Sequence, residues 1–171
     1  MTIPTGKILA CVNGVIGPAE NATVSVLDRG HVFGDGIYEV VRVDKGRLHG
    51  IDRHWRRLDR SLRALQIANL DLDLLRSQLD ATLKASGHTD AMVYLQVTRG
   101  TAPRAHAFPS DTPPNTLILV QHFGDDKAHL RQTGAGVITH PDLRWARCDI
   151  KSINLLGSVL AAEAAKRAGC V

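Results

Sequence analysis

Residues 142–157 read D-L-R-W-A-R-C-D-I-K-S-I-N-L-L-G, and this stretch decides how the rest of the chain is interpreted. Its single lysine, Lys151, lies among Ile150, Ile153 and two leucines. Because burying an ammonium among apolar side chains is costly, a lysine kept from water there sheds its proton easily. The resulting amine is a nucleophile suited to Schiff-base chemistry. The alternative is a solvated lysine whose ammonium reaches water along its flexible stem.

The residues that follow Lys151 predict a helix, because apolar side chains recur at helical spacing from Ile153 to Ala164. Ser152 or Asn154 is suited to be its N-cap. Lys151 is then expected at or just before the positive end of the helix macrodipole, which also disfavours an ammonium. The pattern therefore predicts a nucleophilic lysine at a loop–helix junction.

The composition is that of a globular chain without a nucleic-acid partner. The 171 residues suffice for one domain or two small ones, and a hydrophobic content of 44% permits a packed core. The net charge is +4, from 21 Lys and Arg against 17 Asp and Glu. Most arginines are scattered, and those from Arg53 to Arg63 are typical of a solvated helix face. An aromatic content of 4% leaves few platforms for base stacking.

The sequence carries no signal for a membrane or for secretion. It has no apolar run long enough to span a bilayer, and the start M-T-I-P-T-G-K lacks the apolar region of a signal peptide. Cys11, Cys148 and Cys170 are odd in number and widely separated, which argues against a disulfide framework. The histidines show no metal-ligand spacing. We expect a cytoplasmic protein with no membrane partner and no metal site.

Turn residues and apolar periodicity predict the elements of the first part of the chain. Asn13-Gly14 is typical of a hairpin turn, and the glycine-rich residues 29–36 predict a turn. Residues 37–43, I-Y-E-V-V-R-V, predict a strand with Tyr38 and Glu39 on opposite faces. The further predicted elements are a helix with Asp52 as N-cap, a helix over 72–86 that stops at Gly87, and strands over 91–98 and 117–120.

Residues 98–109, T-R-G-T-A-P-R-A-H-A-F-P, predict a loop because two prolines and a glycine interrupt any regular element. The loop contains Arg99, Arg104 and His106, and loops carry function more often than core elements do. The alternative is that these are ordinary solvated loop charges.

A change in composition predicts two domains. Residues 1–122 form a small N-terminal α/β domain, residues 123–133 a linker, and residues 134–171 the start of a second domain. That second part has roughly forty residues, fewer than usually fold alone. We therefore expect a chain that is truncated or that completes its fold elsewhere.

Four motifs together resemble the class IV, or fold type IV, pyridoxal-phosphate-dependent aminotransferases. The last two look most like the D-amino-acid (D-alanine) aminotransferases. The resemblance implies a two-domain α/β (α+β) fold with a complete small N-terminal domain and only the beginning of the larger, cofactor-binding domain. The motifs are D-R-G-H-V-F-G-D-G-I-Y-E-V at 28–40, I-D-R-H-W-R-R-L at 51–58, Q-V-T-R-G-T-A-P-R-A-H-A-F-P at 96–109 and R-W-A-R-C-D-I-K-S-I-N-L-L-G at 144–157.

The resemblance also implies roles for individual residues. Lys151 matches the lysine that forms a Schiff base with pyridoxal 5′-phosphate and later moves the substrate α-proton. Arg57 matches the residue that binds the cofactor phosphate, and a guanidinium fork suits phosphate oxygens. Tyr38 matches a tyrosine that faces the substrate. Arg104 and His106 match the pair that holds the substrate carboxylate and reaches in from the partner subunit.

The activity that the resemblance implies is transamination of D-amino acids, of the type D-alanine plus 2-oxoglutarate to pyruvate plus D-glutamate. The implied partners are a small amino acid and a 2-oxo acid as substrates, and a second copy of the chain in a homodimer with a shared site. The resemblance also implies that Glu39 lies beside that site. The alternatives are a branched-chain aminotransferase, an aminodeoxychorismate lyase, or an inactive truncated remnant. The remnant is an alternative because the family's carboxylate for the pyridine nitrogen comes after residue 171.

Overall fold

The computed structural model describes residues 8–171, so the start of the chain, in which we found no signal peptide, lies outside the described residues. No helix in the described part is both long and apolar enough to cross a membrane. The strands are β1 (Leu9–Val12), β2 (Val15–Pro18), β3 (Gly36–Asp44), β4 (Arg47–Leu48), β5 (Ala91–Thr98) and β6 (Asn115–His122). The helices are α1 (Arg29–Phe33), α2 (Ile51–Ala64), α3 (Leu72–Ser86), α4 (Leu130–Thr133) and α5 (Leu156–Arg167), with a short 3₁₀ helix at Ala19–Asn21.

The six strands form one antiparallel sheet in the order β2-β1-β6-β5-β3-β4. At its centre Ile37 lies opposite Val97, and Leu95 lies opposite Ile118. Because successive side chains in a strand point to opposite faces, β3 and β5 bury alternate residues on one face and leave the others half-buried. The prediction of a mixed α and β fold is confirmed.

Helices α2 and α3 cover the buried face of the sheet and complete the core. Leu58 and Leu62 of α2 and Leu75 and Leu79 of α3 are buried against the inward-facing strand residues. Helix α2 packs on β3, and α3 packs on β1 and β6. Each buried leucine contributes about 2 kcal/mol from the removal of its apolar surface from water. The helices therefore fix one face of the sheet and leave the other face half-buried.

Elements with strong local signals have the predicted bounds. Helix α3 spans the predicted residues, begins at an N-cap whose carboxylate accepts from the amides of Asp73 and Leu74, and ends at Gly87 in the left-handed conformation. The hairpin turn is also confirmed, because Asn13 and Gly14 both have positive φ angles, 49° and 87°.

Two local predictions are wrong. The N-cap of α2 is Gly50, with a left-handed backbone, so Asp52 lies in the first turn of the helix instead of capping it. The glycine-rich residues 29–36 begin with helix α1, which ends where Gly34 adopts the left-handed conformation, so only the turn is wrong. The close approach of backbone expected from these glycines is confirmed, since a Cβ on Gly36 would lie 2.6 Å from the Val97 oxygen. The carboxylate of Asp28 accepts a hydrogen bond from the Gly30 amide and so caps α1.

The described chain divides into two compact units. The first ends at Phe123 and takes in Ile150–Ile153; the second comprises Gly124–Asp149 and Asn154–Val171. The second unit contains α4 and α5 and is otherwise mostly irregular. The predicted domain limits at residues 122 and 134 remain a prediction.

Two glycines allow main-chain segments to approach closely at one end of the sheet. A Cβ on Gly36 would lie 2.6 Å from the carbonyl oxygen of Val97. A Cβ on Gly100 would lie 2.1 Å from the carbonyl oxygen of Pro113, and Gly100 has a φ of +105°. No side chain fits at either position without a shift of the backbone.

We predict that Gly100→Ala lowers the free energy of unfolding by at least about 2 kcal/mol, because it combines backbone strain with overlap against a main-chain oxygen. Gly17→Ala is the control, since a Cβ there meets nothing within 4 Å. Urea denaturation of both variants measures the difference. Equal stability of the two variants would contradict the close approach at Gly100.

Candidate active site

The main chain around Lys151 is paired with the first residues of β3. The Tyr38 amide donates to the Lys151 carbonyl at 3.0 Å, and the Ile153 amide donates to the Gly36 carbonyl at 3.1 Å. The Lys151 amide in turn donates to the Ser61 hydroxyl of α2 at 3.4 Å. The backbone of this lysine is thus held by the sheet and by a helix together.

The side chain of Lys151 lies on an aromatic ring. Its Nζ is 3.9 Å from the centroid of the Tyr38 ring, and Lys151 is half-buried. An amine or ammonium over the face of a tyrosine is attracted by the negative face of the ring. Neither of the two sequence alternatives describes this fully, because the amine is neither sealed in an apolar niche nor extended into water.

Tyr38 also contacts a second tyrosine, Tyr94. The rings of Tyr38 and Tyr94 stack with centroids 5.6 Å apart and an interplanar angle of 25°. The Tyr94 hydroxyl donates to Oε1 of Gln96 at 2.7 Å. Burial, with a smaller contribution from Tyr38, raises the pKa of Tyr94 to about 12. Tyr94 is therefore neutral at physiological pH, and its uncharged ring stacks on Tyr38.

The position of Lys151 relative to the following helix differs from the prediction. Helix α5 begins at Leu156, its N-cap is Leu155, and no side chain caps it. The predicted N-cap role of Ser152 or Asn154 is therefore wrong. Lys151 lies in the segment that pairs with β3, before the first turn of α5 in the sequence.

A buried carboxylate orients Arg57. Glu39 is 1% exposed; its Oε1 accepts from Arg57 Nε at 2.7 Å and its Oε2 from Arg57 Nη2 at 2.5 Å. Nδ1 of His54 lies 2.7 Å from the same Oε2. A buried charge is tolerated only when it is paired and hydrogen-bonded, and Glu39 has both kinds of partner. The side chain that sequence reasoning placed beside the site is thus an anchor for Arg57.

The remaining edge of the Arg57 guanidinium is available to a ligand. Its side chain is 39% exposed, and Nη1 donates to no other group among residues 8–171. Hydrogen bonding to Glu39 raises the pKa of Arg57 against the opposing effect of burial, and the charge of Glu39 and then Tyr38 add to the increase. Arg57 therefore presents a permanent, oriented positive charge close to Tyr38.

Arg104 and His106 lie in a second group, around Phe33. Both residues are exposed. The guanidinium carbon of Arg104 is 5.3 Å from the Phe33 ring centroid, and the His106 ring centroid is 5.4 Å from it. The structure thus brings these two predicted substrate residues to each other through a shared aromatic ring. It does not bring them to the Tyr38 ring that contacts Lys151.

Sequence reasoning missed a buried ionic cluster at the base of this loop. Asp35 accepts from Arg29 Nε at 2.8 Å and from Arg99 Nε and Nη2 at 2.8 and 3.0 Å. Arg99 is 6% exposed, so its interpretation as a solvated loop charge is wrong. The motif at 28–40 contained Arg29 and Asp35, but nothing in the linear sequence pairs them with Arg99.

The residues around Tyr38 fit pyridoxal 5′-phosphate by their chemistry. A primary amine at Lys151 suits an aldehyde, and an oriented guanidinium edge at Arg57 suits a phosphate. The Tyr38 ring contacts the amine of Lys151, and Tyr38 interacts electrostatically with Arg57. It therefore offers an aromatic surface near both residues. By contrast, no group of three or more His, Cys, Asp or Glu side chains within the described chain is arranged to hold a metal ion.

The described residues form an α+β chain in which the main chain of Lys151 is paired with β3. A family model, Amino-transferase class IV, matches residues 36–171. The chain belongs to this family, which depends on pyridoxal 5′-phosphate.

Known relatives extend the comparison. The D-alanine aminotransferase of Staphylococcus epidermidis is 39% identical over 153 residues, which cover 89% of this chain and 54% of the relative. The chain thus spans about half the length of the curated relatives that it matches.

Solved structures share the fold. A 4-amino-4-deoxychorismate lyase from Pseudomonas aeruginosa has a TM-score of 0.76 and 31% identity, over 91% of this chain and 56% of that one. A branched-chain amino acid aminotransferase from Escherichia coli has a TM-score of 0.83 over 95% of this chain and 57% of that one. At 19% identity, the second likeness shows the fold alone.

The Asp35 cluster generates a prediction about stability and pH. Burial raises the pKa of Asp35, but hydrogen bonds from Arg99 and then Arg29 outweigh it, so the pKa is below its ordinary value. A carboxyl with a lowered folded-state pKa stabilises the fold above its unfolded pKa and loses that effect as pH falls through the folded pKa.

We predict that Asp35→Asn lowers the free energy of unfolding by about 3 kcal/mol at pH 7, because it leaves two buried guanidiniums without their carboxylate. The difference from the unmodified chain should shrink as pH falls below roughly 4. Asp80→Asn, at an exposed pair with Arg76, is the control and should change stability by less than about 1 kcal/mol. A penalty for Asp35→Asn that is independent of pH from 7 to 3 would contradict the assigned ionic role.

Proposed function

We propose that this chain takes part in pyridoxal-phosphate-dependent transamination of D-amino acids, of the type D-alanine plus 2-oxoglutarate to pyruvate plus D-glutamate. The observation that carries the proposal is the amine of Lys151 lying 3.9 Å from the Tyr38 ring centroid, on a main chain held by β3. The 39% identity to a D-alanine aminotransferase supports the substrate class.

Lys151 and Arg57 are the residues proposed to hold the cofactor. When bound, pyridoxal 5′-phosphate supplies an electron sink for the charge that develops at the substrate α-carbon. Lys151 Nζ binds the cofactor and then carries the proton that leaves that carbon. Arg57 binds the phosphate through the guanidinium edge that Glu39 does not use.

The two tyrosines favour this role for the lysine. The Tyr38 ring contacts the amine, and Tyr94 stays neutral because its pKa is about 12. Tyr38 is proposed to face the substrate on the side of its ring that Tyr94 leaves uncovered.

Arg104 and His106 are proposed to bind the substrate carboxylate in the site of a partner subunit. Both side chains are exposed and contact Phe33 instead of Tyr38. This supports a role for them outside the site of their own chain. The proposal thus includes a homodimer with a shared site. A cytoplasmic location belongs to the same proposal and is supported by three cysteines that form no disulfide.

A lyase acting on 4-amino-4-deoxychorismate is the second candidate. It is favoured by the 31% identity to the Pseudomonas aeruginosa lyase, which is above the level that shows the fold alone. A branched-chain aminotransferase has only the shared fold in its favour.

We predict that Lys151 is the residue modified when the chain is mixed with pyridoxal 5′-phosphate and reduced with borohydride. Peptide mass spectrometry should locate the pyridoxyl group on Lys151, and Lys151→Ala should remove both the label and the visible absorbance of the bound cofactor. Lys84→Ala, an exposed lysine of α3, is the control and should keep both. A label that persists in Lys151→Ala would overturn the assignment. A chain that takes up no cofactor at all would favour the inactive remnant.

We predict that Arg104→Ala raises the KM for D-alanine by about tenfold or more, because a charge-assisted hydrogen bond to a carboxylate contributes about 1.5–3 kcal/mol. The change in kcat should be small, since the lost contact holds substrate and transition state alike. Arg76→Ala, at a half-buried arginine of α3 paired with the exposed Asp80, should leave KM unchanged. An unchanged KM in Arg104→Ala contradicts the D-specific proposal, and turnover of 4-amino-4-deoxychorismate in its place favours the lyase.

A further inference from the structure

We propose that Arg29 is a positioning residue that fixes the main chain of residues 104–107, and so presents Arg104 and His106 in one orientation to a substrate carboxylate. The inference deepens the proposed function and rests on it. It adds a role for a buried arginine outside the group around Lys151.

Arg29 donates hydrogen bonds to three successive carbonyls of the loop. Its Nη1 donates to the Ala105 oxygen at 2.6 Å and to the Ala107 oxygen at 3.3 Å, and its Nη2 donates to the His106 oxygen at 3.3 Å. The side chain of Arg29 is 4% exposed. A planar, rigid guanidinium that bonds three adjacent carbonyls fixes the direction of the backbone that bears them.

The side chains of the loop are little buried. Arg104, Ala105, His106, Ala107 and Phe108 are all exposed, and such segments belong to the least stable parts of a fold. Their side chains contact rings or a guanidinium: Arg104 and His106 contact Phe33, and the guanidinium carbon of Arg99 lies 3.6 Å from the centroid of the Phe108 ring. The hydrogen bonds from Arg29 act directly on the main chain, so they restrain the direction of the backbone in a way that these side-chain contacts do not.

Arg29 is itself fixed to the rest of the first unit. Its Nε donates to Asp35, and Asp35 also accepts from Arg99. Arg99 donates to the carbonyls of Leu65 and Gln66, which follow the last turn of α2. The contacts thus run from the loop through two arginines and one aspartate to the helix that carries the proposed phosphate-binding residue.

Charge and ring contacts make the same arrangement suited to a carboxylate. Two guanidiniums share one carboxylate at Asp35, which leaves an excess positive charge beneath the loop. The Phe33 ring lies 4.8 Å from the Arg29 guanidinium carbon and also contacts Arg104 and His106. An excess of positive charge draws anions towards the loop, and the ring limits the directions that the two side chains can take.

The experiment compares Arg29→Gln and Arg29→Lys with the unmodified chain, all supplied with pyridoxal 5′-phosphate. The rate of limited cleavage by trypsin after Arg104, followed by mass spectrometry, measures loop order and needs no activity. The KM and kcat for D-alanine measure the consequence for substrate. Arg76→Gln is the control, because its carboxylate pair on α3 is exposed. Arg29→Lys keeps the charge and lacks the fork, so it remains informative if Arg29→Gln does not fold.

We expect cleavage after Arg104 to be about tenfold faster in both variants, since several hydrogen bonds from a charged donor to the main chain of the loop are lost or weakened. The KM for D-alanine should increase by a similar factor while kcat stays within about threefold. An unchanged rate of cleavage in the folded variants overturns the inference. If Arg104→Ala raises KM but an Arg29 variant has faster cleavage and an unchanged KM, the inference is also overturned. If Arg104→Ala itself has no effect on KM, the proposed function fails, and the rate of cleavage alone decides whether Arg29 holds the loop.

Discussion

The site depends on the pairing of a four-residue segment, Ile150–Ile153, with the first residues of β3. Through it the carbonyl of Lys151 accepts from the amide of Tyr38, so two residues distant in sequence become neighbours on one sheet. Ile150 is buried in the core, which anchors the segment from within. Groups held by strands are positioned more accurately than groups held by loops, and the lysine amine gains its place over the tyrosine ring from this pairing.

Successive side chains of β3 point to opposite faces of the sheet, so two adjacent residues have different contacts. Tyr38 points to the half-buried face and contacts the amine of Lys151, whereas Glu39 points to the helix-covered face and anchors Arg57. The carboxylate is almost fully buried, and only its partners on α2 make that burial favourable. One strand therefore positions both the amine of Lys151 and the guanidinium of Arg57, and a slip of register by one residue would exchange the two faces.

The sequence was informative where local signals were strong. The bounds of α3 and β5 follow from apolar periodicity and from Gly87. Lys151 was selected as a candidate from its apolar neighbours, and its role stays a prediction. The cap of α2 was missed because Gly50 acts through a left-handed backbone, which no side-chain pattern reveals. Arg99 was misinterpreted because its partner, Asp35, lies 64 positions earlier in the chain. Interactions over such separations are set by the folded sheet and leave no periodic trace.

The two outer strands of the sheet, β2 and β4, determine how readily another strand could pair with it. At one margin β4 has only two residues, and at the other β2 ends in Pro18, which has no amide hydrogen to offer. Strand β4 pairs with only the last two residues of β3. The first residues of β3 pair instead with the segment that carries Lys151. Short, proline-bearing margins are poor templates for adding a foreign strand. Within the described part of the chain, both margins are therefore poor sites for extending the sheet by main-chain pairing with another molecule.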